Sequence, residues 1–127
     1  LFVSCGNPRI KLKNDRNIAF AGLFDTCTNQ ATGEIYNTFS ILTTVANPLL
    51  EKIHNLKKRM PVILPAEKEN VWIAENPGRS DIDSLLKPFP ENEMTAYTVS
   101  RKISSRNIDV NDPGLIEFYN YNNLEIN

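Results

Sequence analysis

Histidine and cysteine are scarce in this chain of 127 residues, which contains one His and two Cys. Neither cysteine belongs to a CxxC motif, so a structural zinc site has almost no ligands to draw on. A disulfide scaffold of this size would carry more cysteines. Cys5 and Cys27 are therefore expected to be buried or half-buried thiols. We predict no metal site and no cofactor, since the P-loop and GxGxxG patterns are also missing.

Long apolar runs and a strong net charge are missing as well. No segment approaches the roughly 18 apolar residues that a membrane helix needs, so we expect no membrane partner. The formal net charge of -1 gives no overall nucleic-acid signal, which a strongly basic domain would show directly. With 41% hydrophobic residues the chain is not expected to be disordered, and its length suits one ordinary domain.

Two periodicities divide the chain. Residues 18–25 and 36–44 are typical of strands. The 18–25 strand has apolar residues on both faces, so we expect other parts of the protein to cover each of these faces. Asn47 is a good helix N-cap before Pro48, and a helix is predicted from there until Met60-Pro61. Two shorter helices are predicted over residues 65–75 and 80–87. Residues 94–104 and 115–121 are predicted to be strands.

The densest group of chemically useful side chains runs from Thr43 through His54 to Lys57, Lys58 and Arg59. His54 lies on the edge of an apolar helical stripe, where it could be structural or could face a cleft and act in catalysis. The nearby helix C-terminus favours the imidazolium form, whereas the surrounding cations oppose it. The basic run could equally be a solvated helix end or a phosphate site.

Four segments in order resemble the motifs of one family, the SOS response-associated peptidases (SRAP). Residues 18–25 read IAFAGLFD and are similar to the family strand FAGLW followed by an acidic residue. Residues 38–47 read TFSILTTVAN and resemble TFTIITTxAN. Ile53-His54-Asn55 and the later RMPVIL match the block IHxRMPVIL, with Leu56-Lys57-Lys58 inserted. Residues 99–117 resemble the closing portion of the family domain.

This resemblance implies chemistry on damaged DNA. SRAP proteins sense abasic sites in single-stranded DNA and undergo autoproteolytic self-processing. The N-terminal Cys that follows the initiator Met forms a thiazolidine cross-link with the sugar aldehyde. Carried over residue by residue, the resemblance makes His54 the catalytic acid or base. It assigns DNA contact to Thr43 and phosphate contact to Arg59, beside Lys57 and Lys58, which would give affinity with little sequence preference.

The departures from the family define what this chain supplies. Cys5 and Cys27 do not stand in the Met-Cys-Gly-Arg context of the nucleophile, and the amine of Cys5 is tied up in a peptide bond. The family's GxxEW motif is missing too. Residues 1–127 are therefore interpreted as the C-terminal part of a single SRAP-like domain, and this chain alone is expected to be inactive. Its expected partners are the missing N-terminal half and abasic single-stranded DNA.

The expected fold is α+β, with a mixed, mainly antiparallel sheet curled toward a barrel and short helices. The expected location is the bacterial cytoplasm, at the nucleoid during DNA damage. The pattern leaves two other functions open. One is a non-catalytic binding or scaffold fragment that pairs with another chain through open strand edges. The other is a peptidase that acts on proteins in trans. The oligomeric state is not indicated by the sequence.

Overall fold

The computed structural model of the chain describes residues 7–53 and 57–121. Its elements confirm the predicted α+β class, with antiparallel strands and short helices. The strands are β1 (Asn7–Leu12), β2 (Ala19–Phe20), β3 (Gly22–Thr28), β4 (Ile35–Ile41), β5 (Thr43–Val45), β6 (Arg59–Pro61), β7 (Ile63–Leu64) and β8 (Met94–Val99). The α-helices are α1 (Pro48–Ile53), α2 (Glu69–Trp72) and α3 (Arg79–Leu85). Short 3-10 turns cover Ala66–Lys68, Glu91–Glu93, Arg101–Ser104 and Pro113–Ile116.

The chain divides into two compact units, of which the larger is Ile18–Pro90. Its strands pair antiparallel as β2 with β7, β3 with β4, and β5 with β6. The expected curling of the sheet does not extend to closure within the described ranges, where the strands pair two by two rather than as a complete barrel.

A ring of three backbone hydrogen bonds joins these three pairs. The amide of Ala21 donates to the carbonyl of Val62, that of Val62 to Leu42, and that of Leu42 to Ala21, each at 2.9 Å. Each of the three extended stretches therefore changes its partner at its own junction residue. Such a three-way junction satisfies the backbone groups that would otherwise be orphaned where a ladder ends.

The core of this unit lies around that junction. Ala21 and Val62 are fully buried and cluster with Leu64 and Leu85. Trp72 packs against the cluster and its indole N–H donates to the carbonyl of Gly22 at 3.2 Å. Burying side chains of the size of leucine stabilises a fold by about 1.5–3 kcal/mol each. This burial packs Leu85 of α3 against Val62 and Leu64, which follow β6 in the chain.

Helix α1 begins as predicted at Asn47. The Asn47 side-chain oxygen accepts the Leu50 amide at 2.9 Å, and its amide group donates to the Phe89 carbonyl at 2.8 Å. The backbone amide of Asn47 also contacts the sulfur of buried Met60 at 3.4 Å. One side chain therefore caps the helix and attaches its first turn to the segment that contains Phe89.

The second unit combines β1, β8 and the turns that follow β8. β1 and β8 pair antiparallel, from Asn7 opposite Val99 to Leu12 opposite Met94. Arg9 donates to the hydroxyl of Tyr97 at 2.9 Å and to the carbonyl of Ile116 at 3.2 Å. These bonds fasten the Pro113–Ile116 turn to the ladder.

Four details of the predicted elements are wrong. The helix predicted from Asn47 until Met60-Pro61 is described as α1 (Pro48–Ile53), and Arg59–Pro61 form the strand β6. The predicted strand 115–121 begins as a 3-10 turn, because Asp112 caps it through the Gly114 amide at 2.9 Å; only one bridge, Phe118 with Val99, is strand-like. The strand predicted over 94–104 ends at Val99, where Ser100 caps the next turn. The helix predicted over 65–75 is a 3-10 turn followed by the four-residue α2.

Two predictions of burial are also wrong within the described residues. Both faces of the strand around residues 18–25 were expected to be covered, yet Leu23 and Phe24 are exposed. Cys27 was expected to be at least half buried, but it projects from β3 as an exposed thiol. The other thiol, Cys5, lies outside the described residues. The apolar pattern correctly indicated a strand, but the part of the chain that the structure describes does not cover both of its faces.

Candidate nucleic-acid interface

Arg59 and Thr43 are joined across the β5–β6 pair. In this register Thr43 lies opposite Pro61 and Val45 lies opposite Arg59, so the two side chains are diagonal neighbours on one face. The Arg59 Nε and Nη2 atoms donate to the Thr43 hydroxyl at 2.9 and 2.6 Å. Nη2 also donates to the Thr43 carbonyl at 2.9 Å. The exposed guanidinium is therefore held in one orientation by a residue predicted to share its role.

This fixation leaves part of the guanidinium available. Arginine carries five N–H donors in a planar fork that matches the geometry of a phosphate. The bonds to Thr43 use Nε and Nη2, and Nη1 makes no hydrogen bond to any residue in ranges 7–53 and 57–121. An anion could approach this edge without displacing Thr43.

Lys58, the residue before Arg59, forms an ion pair with a carboxylate. Its ammonium lies 2.5 Å from Glu51 of α1, and the Glu51 carboxylate raises the pKa of Lys58 above its usual value. The Lys58 carbonyl accepts the Ala46 amide at 2.9 Å. The backbone here has a φ of +48°, in the left-handed region that costs a non-glycine residue about 1–2 kcal/mol. The ion pair and the backbone bond hold the turn in this conformation.

Lys57 completes a run of three consecutive exposed cations with Lys58 and Arg59. Its ammonium forms no ion pair with the part of the chain that the structure describes. Three adjacent cations with one nearby carboxylate give this turn a local positive charge despite the overall charge of -1. Such a surface attracts phosphate groups and its attraction weakens with added salt.

The structure therefore brings Thr43 and Arg59 into contact and places Lys57 and Lys58 beside them. His54 lies outside the described residues, which stop at Ile53 and resume at Lys57. Sequence reasoning missed Glu51 as the partner of Lys58. The signal available was a carboxylate on the helix that leads into the basic run, but helical spacing alone could not show that the turn folds back onto it.

The chain belongs to the SRAP family: the family model described as SOS response associated peptidase matches residues 8–106. Two curated relatives from Bacillus subtilis are named abasic site processing proteins. YoqW is 43% identical over 112 residues, which are 86% of this chain and 46% of the relative. YobE is 41% identical over 112 residues, which are 86% of this chain and 45% of the relative.

A solved structure agrees with this assignment. The crystal structure of a protein from Bacteroides thetaiotaomicron superposes with a TM-score of 0.77 at 36% identity, covering 88% of this chain and 47% of that protein. The chain thus spans about half the length of the relatives that it matches. In the described ranges no helix is long and apolar enough to cross a membrane.

Proposed function

We propose that this chain is the part of an abasic site processing domain that binds the backbone of single-stranded DNA. The observation that carries the proposal is the Thr43–Arg59 contact beside Lys57 and Lys58, in a chain of a family whose relatives bear the name of abasic site processing. Arg59 would place its Nη1 edge against a phosphate. Lys57 and Lys58 would neutralise neighbouring phosphates, which gives affinity for the strand without selecting a base sequence.

The proposed reaction requires an N-terminal Cys on the remaining part of the domain. Its free amine adds to the aldehyde carbon of the ring-opened sugar, and loss of water gives an imine. The thiolate then adds to the same carbon, and the nitrogen takes up a proton, which closes the five-membered thiazolidine. His54 would move protons in these steps as general acid or base. Self-processing would expose the Cys amine beforehand.

The direct test is a gel assay for a covalent adduct. The whole domain, with its N-terminal Cys exposed, is incubated with a single-stranded oligonucleotide that carries one abasic site. We expect a band that survives denaturation, and no such band when the abasic sugar is replaced by an analogue without an aldehyde. His54→Gln should slow adduct formation at least tenfold with unchanged binding of the analogue. No adduct from the whole domain would refute the proposed chemistry.

A second candidate function is a non-catalytic binding module that pairs with another chain. The exposed apolar side chains of β3 and β4 favour it, because such surfaces mark interaction sites. The two functions predict different results in the same assay. A binding module retains abasic DNA without forming an adduct even when an N-terminal Cys is present. Both would act where bacterial chromosomal DNA lies, in the cytoplasm at the nucleoid.

A further inference from the structure

The β3–β4 hairpin has one apolar face. Because strands alternate their side chains and directly opposed residues share a face, the register sorts the side chains without ambiguity. Phe24 lies opposite Phe39, and Ile35 and Ile41 lie opposite Thr28 and Gly22 on the same side. The name apolar face is used below for the surface formed by these four large side chains, Phe24, Phe39, Ile35 and Ile41.

The apolar face is open to solvent, and no other described residue covers it. Phe24 is 72% exposed and Phe39 is 80% exposed, although they form a cross-strand aromatic pair. Ile35 and Ile41 are 69% and 48% exposed. Single exposed apolar residues are common on proteins, whereas four large ones on one face of a hairpin, interrupted only by the hydrogen-bonded polar pair Thr26 and Asn37, are typical of a surface that another polypeptide covers.

The reverse face of the hairpin differs in character. It carries the pairs Leu23 with Ser40, Asp25 with Thr38, and Cys27 with Tyr36, and the Thr38 hydroxyl donates to the Asp25 carbonyl at 3.0 Å. Two of these six side chains, Leu23 and Tyr36, are large and exposed, against four on the apolar face, and the Tyr36 hydroxyl donates to Glu34. The other side chains of the reverse face are small or polar and suit water. The hairpin also pairs with no other strand within the described residues, and a two-stranded ribbon is at best marginally stable by itself. Both observations indicate that the apolar face packs against another polypeptide.

From this we infer that the apolar face is the docking surface for the polypeptide that makes up the other half of the SRAP domain. In the matched relatives, the part that this chain does not match is slightly longer than the part that it matches. The Bacteroides structure superposes on this chain with only 47% of its length. A second half of comparable size, carrying apolar side chains toward Phe24 and Phe39, fits the surface. This inference rests on the proposed function, which assigns the nucleophile to that second half.

The experiment measures assembly without DNA. The full 127-residue chain is mixed with the part of YoqW that it does not match, supplied as a separate polypeptide, and the complex is followed by light scattering and a binding titration. We expect a complex with one copy of each. Phe24→Ser combined with Phe39→Ser should weaken it at least 100-fold, since buried aromatic anchors dominate such interfaces. The matched pair on the reverse face, Asp25→Ser with Thr38→Ser, should weaken it less than threefold.

A thiol probe covers the case in which the separate polypeptide does not fold. The two parts are joined in one chain with Cys5 and any cysteine of the YoqW part replaced by Ser, and the rates of alkylation are compared. Thr26→Cys, in a Cys27→Ser background, places a thiol on the apolar side, whereas Cys27 itself lies on the reverse side. We expect the thiol at position 26 to react at least tenfold more slowly than Cys27.

Three results would overturn the inference: equal alkylation rates, an assembly that is insensitive to the Phe substitutions, or a homodimer of this chain that excludes the YoqW part. The proposed function is judged separately, by the adduct assay. An assembly that depends on Phe24 and Phe39 but forms no adduct supports the interface and refutes the chemistry. An adduct-forming domain that is insensitive to both Phe substitutions supports the chemistry and refutes the interface.

Discussion

The guanidinium of Arg59 donates three hydrogen bonds to a single residue, Thr43, through both the hydroxyl and the backbone carbonyl. The two residues are 16 positions apart and lie diagonally across the short β5–β6 pair. A long, rotatable side chain on an exposed strand would otherwise sample many orientations, and ordering it on binding would cost free energy. The contact with Thr43 already orders the side chain, so Arg59 is preorganised for the phosphate contact that we propose for it.

The first prediction tests this preorganisation by a double-mutant cycle. Arg59→Lys should weaken binding of single-stranded DNA about tenfold, about 1.4 kcal/mol, because an ammonium cannot present the planar fork. Thr43→Val should weaken it about threefold, since Arg59 then loses its hydroxyl acceptor. The double variant should be no weaker than Arg59→Lys alone. Fluorescence anisotropy measures all four proteins, and strictly additive losses would mean that Thr43 does not act through Arg59.

The second prediction concerns the carboxylate beside Lys58. Glu51 pairs with the Lys58 ammonium and, on the proposed function, would compete with phosphate for it, so Glu51→Gln should tighten binding of single-stranded DNA about threefold at low salt. Glu67→Gln is the matched control, because it removes the same charge from an exposed 3-10 turn of the same unit. Equal effects of both substitutions would indicate overall charge rather than a local competition.

The third prediction uses the salt dependence of binding. Each phosphate contact with single-stranded DNA adds about 0.7 to the slope of log affinity against log salt. Lys57→Gln should therefore reduce the slope by about 0.7. Lys68 is an exposed lysine of the same unit, outside the Lys57-Lys58-Arg59 run, so Lys68→Gln should leave the slope unchanged. Titrations at four or more salt concentrations give both slopes, and an unchanged slope for Lys57→Gln would exclude it from the interface.

The fourth prediction separates the backbone of Lys58 from its charge. Lys58→Gly and Lys58→Ala both remove the ion pair with Glu51, but only glycine adopts the observed φ of +48° without a steric penalty. Lys58→Gly should exceed Lys58→Ala in free energy of unfolding by about 1 kcal/mol, as measured by urea denaturation. A glycine variant less stable than the alanine variant would contradict the left-handed conformation. Both variants should bind DNA more weakly than the native chain.

The fifth prediction concerns the Asn47 cap of α1, the helix that precedes the cations Lys57, Lys58 and Arg59. Asn47→Ala removes the cap of α1, worth about 1 kcal/mol, and leaves the Phe89 carbonyl without its donor, at about 1–3 kcal/mol more. The free energy of unfolding should fall by about 2–4 kcal/mol. Asn70→Ala, on the exposed surface of α2, should change it by less than 0.5 kcal/mol. A small effect of Asn47→Ala would mean that α1 does not depend on this cap.

Local chemistry determined much of this chain from its sequence. The apolar pattern predicted strands over residues 18–25 and 36–44, which overlap β3 and β4, and the Asn47-Pro48 pair predicted the start of α1, because capping and strand periodicity depend on neighbours along the chain. The ordered motifs also gave the family, which the family model confirms. The motifs named Thr43 and Arg59 as DNA ligands, and the basic run added Lys57 and Lys58. These assignments together with His54 stay predictions.

The tertiary structure alone decided which strands pair and which apolar face stays open. The ring that joins Ala21, Leu42 and Val62 links residues about 20 to 40 positions apart, and strand partners at such distances are not encoded in local periodicity. Likewise, alternation marked Phe24 and Phe39 as apolar but could not show their exposure. Burial depends on which polypeptide packs against a face, and residues 7–53 and 57–121 supply none for this face.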